Sequence, residues 1–209
     1  MPDKRNMDEE MLYYLTVNSH GMYSKMKNAL REKMRSLRKA LTIGERSHSS
    51  EIVSSKLLAD KRISETNGVV AVYLASPQEI SLSPFIDAML SRGKSLAAPR
   101  WNGSAYELAN LSGLTENDLR IGPMNIAEPS TSETTVPPSL VDIWLVPGLV
   151  FDRKLKRIGY GGGWYDRLLS EANDHSLKIG ICHAFQVLDE IPFEQHDIAL
   201  SELFTDEEP

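Results

Sequence analysis

Residues 157 to 167, RIGYGGGWYDR, place four glycines in five positions and follow them with two aromatics, an aspartate and an arginine. Gly161, Gly162 and Gly163 in succession remove every Cβ, so the backbone can reach positive φ and turn several N–H groups toward one point. That arrangement suits an anion. The residues that follow have a helical pattern, whose free N-terminal N–H groups and dipole add to the attraction. Lys154, Lys156 and Arg157 lie just upstream, and Arg157 has the fork needed to hold a phosphate bidentately. Asp166 beside a polyphosphate would be repelled unless a cation such as Mg²⁺ lay between them. A tight turn with no ligand is the alternative reading of such a cluster. Two familiar nucleotide motifs do not apply: the full P-loop pattern G-x-x-x-x-G-K-[ST] is absent, and glycines spaced at two in the last quarter of the chain do not match G-x-G-x-x-G.

Basic charge is concentrated elsewhere. Between Lys25 and Arg62 lie 11 of the 23 Lys and Arg residues, against only Glu32, Glu45, Glu51 and Asp60. The chain as a whole carries a formal charge of -6, which weighs against general nucleic-acid binding. Lys27 and Arg31, four apart, share one helix face; that face is either solvated or turned to phosphates.

These residues need a frame. Met26, Ala29, Leu30, Met34, Leu37 and Leu41 recur at helical spacing, predicting a helix of about 17 residues from Ser24 with these side chains on its buried face. Its remaining Lys and Arg are expected to be solvated. TIGE, 42 to 45, matches a capping box that starts a second helix. GVVAVYLA (68–75) reads as a buried strand, SPFIDAMLSRG (83–93) as a helix with Ser83 as cap, and KSLAAP (94–99) as a second strand. YELANL (106–111) alternates like a half-wet strand. Residues 128–139, EPSTSETTVPPS, predict a surface loop. VDIWLVPG (141–148), the helix WYDRLLSEAN and the strand LKIGICHAF (177–185) complete an α/β pattern with a mainly parallel sheet.

The 209 residues, 41% hydrophobic and 25% charged, suit one soluble domain. No apolar run approaches the roughly 20 residues needed to span a bilayer, and the N-terminus lacks the pattern of a secretory or transit segment. The single cysteine, Cys182, fits a reducing, cytoplasmic setting. Residues 1–22 are read as a lead-in with no assigned function, and residues 23–209 as the domain.

LVPGLVFDRKLKRIGYGGGWYDRLL, residues 145 to 169, resembles the signature of the 5-formyltetrahydrofolate cyclo-ligase family. In that signature a strand ending in Pro-Gly leads through Phe-Asp to Arg-(Leu/Ile)-Gly-x-Gly-x-Gly-Tyr-Tyr-Asp. Further pieces agree in order: KNALR at 27–31, YLASPQEI at 73–80, APRW at 98–101 and HDIAL at 196–200. The likeness runs from about residue 25 to 205. The chain departs from the pattern at Leu155 (often Gly), Trp164 (Tyr) and Ser201 (Asp).

The resemblance implies a Rossmann-like three-layer sandwich with an open, mainly parallel sheet, like sugar-phosphate isomerases and CoA transferases. It implies conversion of 5-formyltetrahydrofolate, with or without a polyglutamate tail, and ATP into 5,10-methenyltetrahydrofolate, ADP and phosphate, by a monomeric enzyme with no nucleic-acid or membrane partner. ATP would be held by Lys27, Arg31 and Arg157 and by Ile158, Gly159, Tyr160, Gly161, Gly162, Gly163, Trp164 and Tyr165. The folate would be held by Leu74, Glu79, Trp101, Tyr160, Gly161, Gly162, Gly163 and Trp164, and Mg²⁺ by Asp166 and Asp197. Each has a plainer alternative: Asp166 a helix-start carboxylate, Asp197 a turn residue, Glu79 a solvent-facing loop residue, Trp101 and Tyr165 core aromatics. His196 is read as structural. A non-catalytic folate- or nucleotide-binding regulator is expected to have lost a glycine or a carboxylate of this set, and none is lost. A sugar-phosphate isomerase would have no use for the Lys27/Arg31 face or Asp166.

Overall fold

The computed structural model describes residues 4–113, 118–123, 125–130, 134–194 and 197–207, with the backbone course alone over 4–20. The first helix, α1, ends where its periodicity does but begins earlier, spanning Lys4–Ala40. Its buried face also differs from the expected one. Met34 is buried, but so are Lys27 and Arg38, whereas Met26 and Leu37 are 45% and 41% exposed. Residues 27, 31, 34 and 38 follow one another by three or four positions and so form one stripe. That stripe packs on a polar site instead of the main core, so cations face inward. Met34 joins Leu149, Val150, Ile158 and Ile191 in a small second core beneath the helix.

Helix α2 (Ile43–Ala59) starts with the predicted box: the Thr42 hydroxyl accepts from Glu45 N–H at 3.2 Å, and Glu45 Oε2 accepts from Thr42 N–H at 2.7 Å. Thr42→Ala should cost about 1 kcal/mol, seen as a fall in Tm of about 2–4 °C with unchanged kinetics. A short α3 (Lys61–Ser64) follows. Then come β1 (Val69–Ala71), α4 (Ser83–Ser91), β2 (Leu96–Trp101), β3 (Tyr106–Asn110), β4 (Leu119–Ile121), β5 (Ala127–Pro129) and β6 (Thr135–Val136). After these lie β7 (Val141–Pro147), β8 (Val150–Asp152), β9 (Arg157–Ile158), α5 (Trp164–Ser170), β10 (Leu177–Cys182), β11 (Val187–Leu188) and β12 (Glu202–Thr205).

Seven strands form the main sheet in the order β12-β10-β7-β1-β2-β3-β6. The first five are mutually parallel, and β3 and β6 continue the sheet antiparallel. This is the expected α/β architecture. Near-continuous apolar runs such as Ile143–Val146 are what a strand covered on both faces requires, and Trp144, Leu145 and Val146 are all buried.

Three details differ from expectation. Strand β1 stops at Ala71, after which Val72 N–H still reaches Ala97 O at 2.8 Å and Tyr73 OH donates to Ile80 O at 2.7 Å. The rest of that apolar run leaves the sheet to line a pocket. Ser83 is itself the first helical residue of α4, and Ser81 Oγ takes its N–H at 3.2 Å. The stretch 128–139 is only partly loop: its start pairs in β5 with β4, and Thr135–Val136 pair with β3, residues 131–133 lying outside the described residues. Polar composition conceals this pairing, because the backbone supplies the ladder bonds.

Behind the sheet, Asp206 Oδ2 lies 2.6 Å from His183 Nδ1 and accepts from Ser49 Oγ at 2.7 Å, while Ala184 N–H donates to Oδ1. Burial alone would raise this carboxyl, but the hydrogen bonds from His183, Ser49 and Ala184 outweigh it and hold it at about 2. A depressed carboxyl stabilises the fold above its unfolded pKa, and that contribution disappears as pH falls from about 4 to about 2. Asp206→Asn should therefore flatten the acid limb of a stability–pH profile by about 2 kcal/mol, measured by urea unfolding at a series of pH values.

Candidate active site

The turn from β9 to α5 follows from its glycines. Gly161 and Gly163 have φ of +109° and +63°, values that L side chains adopt only with strain, and Gly163 begins α5 in the left-handed conformation. Leu155, where the family pattern often has glycine, likewise has φ of +65°. The turn keeps a glycine-like shape while carrying a leucine whose carbonyl accepts from Leu200 N–H at 2.9 Å. Ser201 does strand work: its N–H donates to Lys178 O at 2.7 Å and its hydroxyl accepts from Lys178 N–H at 3.1 Å.

A cavity of about 800 Å³ opens over this turn. Its lining includes Lys27, Arg31, Arg157, Ile158, Gly159, Tyr160, Gly161, Gly162, Gly163, Trp164, Tyr165, Asp166 and Asp197, so the structure brings every one of these predicted residues together. Lys27 Nζ donates to both Glu194 Oε2 and Asp197 Oδ2 at 2.7 Å. Burial opposes its charge, yet Asp197 and Glu194 prevail and raise its pKa. Arg31 Nε donates to Gly159 O at 2.9 Å, which anchors α1 to the turn.

Arg157 is arranged differently from the open fork that the sequence suggests. Its side chain is 2% exposed, Nη2 donates to Asp166 Oδ1 at 2.6 Å, and Nε has no partner among the described residues. The fork faces a carboxylate. Asp166, Asp197 and Glu194 supply the hard oxygen donors of the cavity. Among the described residues no three metal-ligating side chains converge on one point. Such a set is sparse for an ion held by protein alone and fits Mg²⁺, which takes one or two carboxylates and completes its shell with water and phosphate oxygens. His196 lies outside the described residues.

A second cavity, about 140 Å³, lies beyond Tyr160, Trp164 and Tyr165, which line both. Leu74 and Glu79 line it as expected. Gly161, Gly162 and Gly163 stay on the first cavity. Trp101 lines neither; it meets Tyr106 edge-on at 5.3 Å, and Tyr106 reaches the pocket and stacks on Trp164 at 4.5 Å. The loop Glu79 is buried. It accepts from Tyr160 OH at 2.5 Å and from Ser76 N–H at 2.8 Å.

One contributor escaped the sequence reading. Arg38, expected to be solvated, is 2% exposed. Its Nη1 donates to Tyr160 OH at 2.8 Å and its Nε to Gln78 O at 2.6 Å. Burial, ahead of Glu79, raises the Tyr160 phenol and keeps it a donor. Arg38, Tyr160 and Glu79 thus form one chain from α1 to the small cavity. Arg38 stands seven residues after Arg31, on the same helix face, and that spacing was the available clue.

Comparison with known proteins places the chain in a family. A family model described as the 5-formyltetrahydrofolate cyclo-ligase family matches residues 23–206. The 5-formyltetrahydrofolate cyclo-ligase of Escherichia coli (strain K12) is 27% identical over 175 residues, 82% of this chain and 96% of that protein. Its namesake in Mycoplasma genitalium is 30% identical over 161 residues, 77% and 86% of the two chains. The NMR structure of Aquifex aeolicus 5,10-methenyltetrahydrofolate synthetase superposes with a TM-score of 0.76 at 32% identity, covering 88% of this chain and 91% of that one. With the family model spanning nearly the whole described fold, the chain belongs to the 5-formyltetrahydrofolate cyclo-ligase family, a family of enzymes.

Proposed function

We propose that the protein converts 5-formyltetrahydrofolate and ATP into 5,10-methenyltetrahydrofolate, ADP and phosphate. The observation that carries this reading is the shared wall of Tyr160, Trp164 and Tyr165 between a large cavity with basic residues and a small one with a buried carboxylate. A triphosphate in the first and a flat heterocycle in the second would meet across that wall. Family membership and the names of the relatives support the same substrate.

The formyl oxygen on N5 is amide-like and leaves poorly. Transfer of the γ-phosphoryl group to that oxygen releases ADP and leaves an iminium phosphate. N10 then attacks the formyl carbon and loses its proton; the new C–N bond forms and the C–O bond breaks as phosphate departs. Protein work in such a reaction is positioning and charge stabilisation. Lys27 and Arg31 would contact the phosphates, with the turn N–H groups around Gly161 and Gly163 beneath them. Arg157 would orient Asp166. Asp166 and Asp197 would hold Mg²⁺, a cation that supplies charge neutralisation for phosphoryl transfer. Glu79, fixed by Tyr160 and Ser76, would accept N–H groups of the pterin.

Residues 23–209 would form the catalytic domain of a cytoplasmic, monomeric enzyme. Cys182, the free and buried thiol, suits such a reducing setting. Mixing protein, 5-formyltetrahydrofolate and MgATP should raise the absorbance of the methenyl product in step with ADP. Folded protein that binds the folate and gives no such signal would instead be a non-catalytic binder.

A further inference from the structure

Glu128 opens the stretch that composition marks as surface loop, yet it is 2% exposed and lies within β5 opposite Arg120. It fits only because Gly122 has no side chain: a Cβ there would lie 2.1 Å from the Glu128 carboxyl carbon. Its Oε2 accepts from Trp101 N–H at 3.0 Å and lies 3.9 Å from Arg120. Burial, followed by the charge of Glu128 and a hydrogen bond to it, raises the Tyr106 phenol. Pinning strand ends is one use of such a carboxylate, but its position suggests another.

Glu128 lines the 140 Å³ cavity together with Glu79, Leu74, Pro99, Pro147 and Tyr165. Placing two carboxylates on one small, largely apolar pocket is costly unless hydrogen bonds compensate. Each carboxylate offers about four lone-pair positions, more than Trp101 N–H and the Tyr106 phenol use at Glu128. Tyr165 OH is buried on the same cavity with no partner among the described residues. Two acceptors and one unspent hydroxyl complement a flat ring with several N–H groups and a carbonyl. A reduced 2-amino-4-oxopterin has that pattern.

Resting on the function proposed above, we propose that Glu128 is a specificity-determining residue that accepts the N–H groups of the pterin edge alongside Glu79, with Tyr165 OH donating to the 4-oxo oxygen. A site built on such bonds rejects analogues that lack the matching donor far more strongly than an apolar slot does.

The test uses the full chain. Glu128→Gln keeps an oxygen for Trp101 N–H but replaces acceptor capacity with a donor. Its KM for 5-formyltetrahydrofolate, and its Kd from tryptophan quenching without ATP, should rise about 10- to 100-fold, while KM for ATP changes less than about twofold. A folded variant with unchanged folate KM and Kd overturns the proposal. If Glu128→Gln does not fold, Glu128→Asp and a 2-desamino analogue on the wild type decide the matter. The analogue should bind at least about tenfold more weakly, and equal binding overturns the role. Wild-type protein that neither binds nor converts 5-formyltetrahydrofolate would instead sink the cyclo-ligase reading, a result distinct from a working wild type with an indifferent Glu128.

Discussion

Asp166→Asn should lower kcat about 10²- to 10³-fold and shift the magnesium titration to higher concentration, leaving folate binding without ATP within about twofold. Asparagine is nearly isosteric, so the change isolates charge. Removing that charge acts twice. It deprives the proposed Mg²⁺ of one of two carboxylates, and it leaves Arg157, with its side chain 2% exposed, without its charged partner at 2.6 Å. An uncompensated buried cation costs about 3–5 kcal/mol when a pair is broken; Asp166 is 23% exposed, so water softens the loss and a folded variant is expected. Arg157→Met, in contrast, should lower kcat while leaving the Asp166 carboxylate present, so added magnesium restores part of its rate. Kinetics of Asp166→Asn that are the same as wild type across the magnesium titration would remove Asp166 from the metal site.

The second large effect is expected from a residue with no place in the glycine motif. Arg38→Leu should raise KM for 5-formyltetrahydrofolate about tenfold or more, with KM for ATP nearly unchanged. The guanidinium donates to Tyr160 OH and Gln78 O, and the Tyr160 hydroxyl donates onward to Glu79. Without it Glu79 loses the support that holds it toward the ring. Hydrogen bonds from charged donors contribute about 1.5–3 kcal/mol each, so thermal stability should fall too, by about 2–4 °C per kcal/mol. Arg35→Leu is the control: Arg35 is exposed and its contact to Tyr160 O is 3.4 Å, so little should change. Equal behaviour of the two variants in folate KM would show that Arg38 only holds the helix down.

Much of this was legible because it depends on local chemistry. The capping box at Thr42 and Glu45, the strand of Ile143–Val146 and the turn at Gly161 and Gly163 each need only a few neighbouring residues to be read. The face of α1 was not legible in that way. Met26 and Leu37 follow helical spacing as well as Met34 does, and nothing local says that the helix packs on a polar site where Lys27 and Arg38 belong inside. Glu128 is a stronger case. Its burial depends on Gly122, six positions away, and on Trp101 and Tyr106 across the fold, while its own neighbours are the Ser, Thr and Pro of an apparent loop. Trp101 shows the reverse case: the motif assigns it to the folate, while its ring meets Tyr106 edge-on and does not itself line the pocket.

Helix α1 meets the larger cavity with Lys27 and, through Tyr160 and Glu79, the smaller one with Arg38. Those residues are 11 positions apart along one rod, about 16 Å at 1.5 Å per residue. The rod is therefore a ruler: it sets the distance between its contacts to the two cavities in whole helical turns. Its phase is set as firmly as its length, because a one-residue slip would rotate the stripe by about 100° and carry both ends off their targets together.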